Sequence, residues 1–484
     1  MIVDLNSDGV PPLSGFDACI CGAGPAGITI ARSLASRGRH VLLLEAGGHY
    51  YTKQSQELYD AASIGREAWV NLTRQRYLGG TSNHWAGRCR PFEASDFLRE
   101  PPSDLPGWPI TIDEIAGYQR AALDILDVKT ADPFTHSANP DLSPYLIADR
   151  DEVSPPTRFS VKYKEELASS QHITLLLNAN ASDLRMPAGA DSLDRVTFKS
   201  YDGTAHSAEA GVFVLAMGAV ENARFMLNCT KDVRVGLGNE YGMVGIGFME
   251  HFNVAFGEFV TTSDPENFRR SLFTSDAFLD SDRLVGRSNI TLKILQQIRS
   301  HGRTAAIKTF LKDLACEMGV AEKLQFLTEF DCPGTGVITS LTEQFPARSS
   351  YVDLSDRVDR LGHRQPRLNW VMSNEDHESI RRIGIQLGKD FVDAGLGAIR
   401  LAPGVLDSQL PLRFNHHAHH MGTTRMAKGP ADGVVDQNCR VFGLGNLYVA
   451  GSSIFSTGAA CNPTMPLIQF ALRLSDHILG RSSN

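Results

Sequence analysis

Four histidines fall within five positions, His416, His417, His419 and His420, in a segment that continues into Met421, Gly422 and Thr423. Imidazole stays unprotonated near neutral pH and can still accept a proton, which is what a general base must do. It is also a common metal ligand. In an extended segment, however, adjacent side chains point to opposite faces, so two of the four rings point away from the other two. No nearby cysteine or carboxylate spacing completes a tetrahedral set, so no metal site is expected. By the same alternation, only one of His419 and His420 can face a given ligand.

A second constellation lies near the start of the chain, Gly22-Ala-Gly24-Pro-Ala-Gly27 with Glu45 eighteen residues on. This is the pattern that holds a dinucleotide. Gly22 permits a tight turn, Gly24 lets backbone approach a pyrophosphate, and Gly27 lets helix and strand pack closely. Glu45 stands where a carboxylate can accept hydrogen bonds from a ribose diol, which disfavours the 2′-phosphate of NADP. This stretch does not separate NAD from FAD. A third stretch, Tyr77 to Arg88, holds Gly79, Gly80, Thr81, Ser82, Asn83, His84, Trp85 and Ala86. It suits neither a regular helix nor a regular strand, and it can lay backbone N–H groups and hydroxyls along a ligand.

These residues need a scaffold. Ala18 to Cys21 reads as a buried strand running into the glycines. A helix with Ile28, Ala31, Leu34 and Ala35 on one side follows, and its N-terminus offers unpaired N–H groups and a positive dipole end to phosphates. Val41 to Leu44 is the next strand. Further strands are expected at 173–177, 195–199, 208–215 and 447–450. Ala216 and Gly218 lie in a second strand–glycine–helix unit, which lacks a full glycine fingerprint and so belongs to the same cofactor domain. Alternation over 253–261 and 367–372 points to an antiparallel sheet. Helices are expected from a Thr111/Glu114 capping box, over about 290–326, over 377–394 and over 465–479. Residues 130–158 read as a loop, and the segment before Asp17 as a tail.

Composition bounds the rest. The chain has 484 residues, 42% hydrophobic and 21% charged, with a formal net charge of −8. That is ordinary for a globular protein and gives no basic field for nucleic acid. No apolar run reaches the ~18 residues of a membrane span. The first residues lack the basic start and apolar core of a signal peptide. Eight cysteines with no cluster spacing imply neither a disulfide framework nor an iron–sulfur relay, and a reducing, cytoplasmic setting is the expectation.

Taken together, the opening fingerprint, GGTSNHWAGR, VLAMGAVENARFML, HHMGTTRM, NLYVAGSS and CNPT resemble the glucose-methanol-choline (GMC) family of FAD-dependent oxidoreductases, nearest its pyranose-oxidase-like and bacterial sugar-dehydrogenase-like branch. The resemblance covers both ends of the chain and 173–228, and hardly touches 260–400. It implies an α/β plus α+β architecture: a discontinuous Rossmann-like FAD-binding domain (1–110, 160–250 and 411–484). A substrate-binding domain on an antiparallel sheet, with lid or interface segments, is inserted into it (111–159 and 251–410).

It also implies a cofactor, FAD, held by several separated segments. Gly22, Gly24, Pro25, Ala26 and Gly27 would meet the pyrophosphate, and Glu45 and Ala46 the adenosine ribose. Arg76 and the loop from Gly79 to Ala86 would run beside the cofactor, and Ala181 would meet the adenine. Ala216, Gly218, Gly451, Ser452, Pro463 and Thr464 would close the site. The implied chemistry is oxidation of an alcohol on a sugar or glycoside, or of a non-sugar alcohol. A base takes the hydroxyl proton while hydride leaves carbon for flavin N5. The family's catalytic histidine stands three residues before the Gly-Thr glycine, which selects His419, and its partner before Pro-Thr is Asn462. In pyranose oxidases, the histidine corresponding to His84 is bonded to the flavin. Here Ala86 replaces a threonine of those oxidases, so covalent attachment is left open. The resemblance also leaves open the electron acceptor (oxygen, a quinone or a protein), homo-oligomerisation, and a non-catalytic FAD-binding role.

Overall fold

In a computed structural model, the structure describes residues 1–130, 134, 142–148, 152–261, 271–294 and 335–481. The first sheet takes β1 (Ile2–Asp4), β2 (Phe16–Cys21), β3 (Val41–Leu44), β4 (Ile173–Leu177), β5 (Asn180–Arg185), β6 (Arg195–Lys199) and β7 (Ala205–Leu215), plus Leu447–Val449 from near the C-terminus. Its parallel part runs β1, β4, β3, β2, β7, then Leu447–Val449. Every residue of Val41–Leu44 is buried, as expected for a strand covered on both faces. The β5–β6 hairpin continues antiparallel from the first half of β7.

Helix α1 (Pro25–Ala35) leads from β2 to β3, and α2 (Ala219–Asn228) follows β7. The segment read as a tail contains β1, which adds an edge strand beside β4. Three residues are too few for alternation to register in sequence.

The second sheet is antiparallel. Its strands are β8 (Phe252–Thr261), β9 (Ser271–Thr274), β10 (Ser288–Ile294), β11 (Thr335–Thr342), β12 (Gly397–Leu401) and β13 (Phe414–His416), with Leu146–Ala148 pairing β9. Helix α3 (Asn374–Asp393) buries Ile380, Ile383, Leu387 and Phe391, the last ring lying 5.9 Å from that of Phe259 on β8. A Ser373/Asp376 capping box starts it three residues before the expected boundary.

Two helix expectations need correction. Residues 288–294 are strand β10, not the start of a helix; the remainder of that expected helix, 295–326, lies outside the described residues. Spacing of four, as between Ile290 and Ile294, keeps two side chains on one face of a strand as well as of a helix. The helix expected at Thr111 is two short pieces, Asp113–Ala116 and Gln119–Ile125. Glu114 pairs with Arg473 instead of closing a capping box.

Leu447–Val449 is β14, and the chain ends in α4 (Thr464–Arg481), which packs against α1.

Candidate active site

The carboxyl ends of β2, β3, β7 and β14 open on a cavity of about 770 Å³ whose far wall is one face of the second sheet. Open α/β sheets place ligands at this end. Gly22 has φ +107°, and a Cβ there would stand 2.5 Å from the Ala216 carbonyl oxygen. Gly24 caps α1 with no side-chain hydrogen bond, and a Cβ on it would meet nothing within 4 Å. Open space in front of an uncapped helix start is what a pyrophosphate requires. Gly218, at φ +86°, starts α2 in the same way.

Glu45 accepts from the Ala23 N–H at 3.1 Å and the Gly47 N–H at 2.8 Å, and burial pushes its carboxyl up. Its two oxygens bridge the glycine turn and the next loop, and lone pairs remain toward the cavity. Arg76 donates to the Asn180 side chain at 2.9 Å, while its Nε–H is buried without a partner. A buried donor in the cavity wall calls for an acceptor from a ligand. The residues present therefore fit a dinucleotide.

Pro25, Ala26, Ala46, Gly80, Thr81 and Ala86 line the cavity, as do Ala181, Gly451, Pro463 and Thr464. His84 lines it too, its Nε2 lying 2.8 Å from the Tyr77 hydroxyl, and Trp85 donates to the Thr157 carbonyl at 3.0 Å. Ser452 lines it, but its hydroxyl donates to the His420 carbonyl at 2.7 Å.

Three residues named from sequence are not in the lining. A Cβ on Gly27 would come within 1.9 Å of the Gly22 carbonyl oxygen, so its role is helix–turn packing. Gly79, at φ +86°, backs onto Ser160. Asn83 donates to the Leu78 carbonyl in its own loop and accepts from Ser160 on a neighbouring helix, which occupies its amide.

Strand β13 delivers the histidine segment. His416 pairs with Phe252 on β8, so the chain beyond His416 runs past Glu250 and His251, just ahead of that strand. Ala418 adopts φ +63°. The Glu250 carboxylate spans this left-handed turn, accepting from the His417 N–H at 3.3 Å and the His419 N–H at 2.7 Å. Burial pushes that carboxyl up to about 8, against the backbone amides that favour its charge.

His419 and Asn462 come together, with Nε2 and Nδ2 3.2 Å apart in the cavity. On the other side of the ring, His419 Nδ1 is 2.8 Å from His251 Nδ1. Burial, with His251 and His417 adding to it, holds His419 well below the ordinary imidazole range. His420 turns instead to the Thr73 hydroxyl at 3.3 Å and to the ring of Phe248; burial and then Arg74 pull it down to about 3.

Sequence reasoning missed several residues of the site. Glu250 and His251, which back the histidine segment from outside the cavity lining, look in sequence like the start of any strand. Asn253, Thr339 and Thr291 face the cavity from β8, β11 and β10, and among the described residues their side chains make no hydrogen bond. The alternation of β8 was legible, but not which of its faces meets the ligand.

Comparison with known proteins agrees with this geometry. The family model described as GMC oxidoreductase matches residues 346–471, and an NAD(P)-binding Rossmann-like domain matches 20–62. A 2-methyl-1,2-propanediol dehydrogenase of Mycolicibacterium austroafricanum is 24% identical over 97% of this chain and 96% of its own length. The chain thus carries a GMC oxidoreductase C-terminal domain behind a Rossmann-like N-terminal one. The chain is also 30% identical to a C-glycoside 3-oxidase of Microbacterium trichothecenolyticum, over 30% of this chain and 27% of that one. Among solved structures, pyridoxine 4-oxidase from Mesorbium loti shares its fold, with a TM-score of 0.59 at 16% identity over 96% of this chain and 99% of that one. A variant of Aspergillus oryzae formate oxidase has a TM-score of 0.55 at 17% identity over 98% and 100%.

The fold is therefore a Rossmann-like FAD-binding unit joined to an antiparallel sheet, and the cofactor is FAD. The protein is an FAD-dependent oxidoreductase acting on alcohol groups. Among the described residues no helix is long and apolar enough to cross a membrane.

Proposed function

We propose that this oxidoreductase oxidises an alcohol on a sugar or glycoside, with His419 as the base and Asn462 holding the substrate oxygen. The observation that carries the reading is the His419–Asn462 pair, 3.2 Å apart in the cavity. A hydroxyl seated between them would give its proton to Nε2 of His419 and accept from the Asn462 amide N–H. When bound, FAD supplies the acceptor for the hydride that leaves the same carbon. Burial keeps His419 neutral at working pH, ready to accept a proton.

The sugar preference is supported by the opposite wall. Asn253, Thr291 and Thr339 present an amide and two hydroxyls to a bound molecule, whereas a sterol would leave those groups buried and unpaired at about 1–3 kcal/mol each. The division of the chain into a discontinuous FAD domain and a substrate domain over 111–159 and 251–410 is part of the same reading. So are FAD contacts for the residues named from sequence that line the cavity, with covalent attachment through His84 left to a direct test. Acid precipitation tests that bond: colour stays in the pellet if it exists and in the supernatant if it does not.

Anaerobic bleaching of the yellow holoenzyme by pyranoses, glycosides, short diols and sterols tests the substrate class. Bleaching by sugars or glycosides is expected; bleaching confined to sterols or diols would overturn it. In stopped-flow reduction, His419→Ala is expected to lose ~10²–10⁴-fold, the usual worth of a general base. His420→Ala should lose far less, and Asn462→Ala an intermediate amount. A critical His420 beside a dispensable His419 would refute the assignment of the base.

A further inference from the structure

His251 belongs to no motif that identified the family, yet it touches the ring proposed as the base. Its Nε2 lies 3.1 Å from the Gly458 carbonyl oxygen and 3.0 Å from that of Ala459. Carbonyl oxygens only accept, so Nε2 of His251 must carry a hydrogen. In a neutral ring, Nδ1 is then a bare acceptor. Nδ1 of His419 faces it at 2.8 Å, and two lone pairs cannot meet at that distance, so Nδ1 of His419 is the donor. In a neutral His419 this leaves Nε2 bare, beside Asn462 and the cavity.

We infer that His251 is a positioning residue that sets the tautomer of His419, directing the hydrogen to Nδ1 and leaving Nε2 free to accept the substrate proton. The inference rests on His419 being the base. Burial, reinforced by His417, pulls His251 down to about 3, so it stays neutral and an acceptor throughout. When His419 takes the hydroxyl proton on Nε2, its Nδ1–H remains on His251, and the proton goes no further. The ring centroids are 5.1 Å apart with the two Nδ1 atoms 2.8 Å apart, so both nitrogens lie nearly on the line between the rings, which aims Nδ1–H at the lone pair and fixes the swing of the His419 ring. Neighbouring Glu250 holds the backbone of the same turn through the His419 N–H. One dipeptide thus fixes both the main chain and the ring.

The test uses the FAD-loaded enzyme and an accepted alcohol. His251→Leu removes the acceptor at similar bulk, and the rate of flavin reduction is expected to fall ~10²–10⁴-fold, the range spanned by losing a general base or putting it in the wrong tautomer. KM and flavin content should stay within about twofold. His251→Asn restores an acceptor near the Nδ1 position and should recover at least tenfold of that loss, whereas His251→Gln, whose oxygen lies farther out, should not.

Independently of turnover, ¹⁵N-histidine NMR of the wild-type holoenzyme, with His419 assigned by its loss in His419→Gln, should show Nδ1 protonated and Nε2 bare. A protonated Nε2 in the wild type overturns the inference even if the Leu variant fails to fold. So does a Leu variant as fast as the wild type while His419→Ala is inactive. If His419→Ala itself stays fully active, the assignment of the base fails, and this inference with it.

Discussion

The glycines of the fingerprint have separable duties, and two substitutions should part them. Gly24 has φ −84° and ψ −172°, an extended conformation open to any residue, and a side chain on it would project into open cavity. Gly24→Val should therefore change the stability of the flavin-free protein by no more than about 0.5 kcal/mol. The added methyls occupy the space before the α1 start, keeping a phosphate from the first-turn N–H groups. Two charge-assisted hydrogen bonds lost at about 1.5–3 kcal/mol each amount to ~3–6 kcal/mol, or ~10²–10⁴-fold in FAD affinity.

Gly27→Ala does the opposite. Its Cβ would sit 1.9 Å from the Gly22 carbonyl oxygen, so helix and turn must separate by more than an ångström. Overpacking of this kind costs about 1–3 kcal/mol or more, and it should appear first as instability. The assay pairs flavin-to-protein absorbance and FAD titration of the stripped protein with thermal melting of that stripped form. Full flavin in Gly24→Val, or flavin lost from Gly27→Ala with unchanged melting, would refute the division.

Other outcomes follow from buried charge. Arg287 is 1% exposed and bonds Asp96 at 3.0 Å and the Thr274 carbonyl at 2.8 Å, with Glu93 also 3.0 Å away. Arg287→Ala strands those carboxylates and should cost about 3–5 kcal/mol in urea unfolding; a loss under 1 kcal/mol would mean the cluster is wetter than it looks. Stability should also peak near pH 6.5. His251, His417 and His420 titrate at about 3, 4 and 3 in the fold, below the unfolded value of 6.5, so the unfolded chain binds more protons and stability falls as pH drops below 6.5. Glu250 and Asp376, pushed up to about 8 and 7, bind more protons in the fold than unfolded, so stability also falls as pH rises toward 8. Each group contributes a slope of about 1.4 kcal/mol per pH unit across its window. Melting temperatures that keep climbing from pH 6.5 to 8, or stay level from 6.5 to 5, contradict this.

The dinucleotide end of the site was legible because its turn, helix and carboxylate lie within thirty residues, each with one physical duty. His419 and Asn462 are 43 residues apart, and only the spacing within two family motifs singled them out. His251 was not legible at all. Its partner lies 168 residues away, and its function depends on a sheet register that pairs Phe252 with His416. In the fold, long buried strands such as Val41–Leu44 stood out, whereas β1 was too short and β10 shared its spacing with a helix. Asn83 shows that a polar loop residue can serve its own loop as readily as a ligand, since its amide bonds the Leu78 carbonyl.

The order in which the chain is synthesised has a consequence for how the cofactor is loaded. Strand β7 is complete at Leu215, but its outer neighbour is Leu447–Val449, and α1 leans on a helix that ends at Arg481. At ~5–20 residues per second, a ribosome needs roughly 13–50 s to bridge that gap. Through that interval the nascent cofactor sheet keeps one raw edge, and α1 has one apolar flank bare to solvent. Flavin capture then waits on these late elements, and loss of α4 should yield insoluble apoprotein rather than a shortened enzyme.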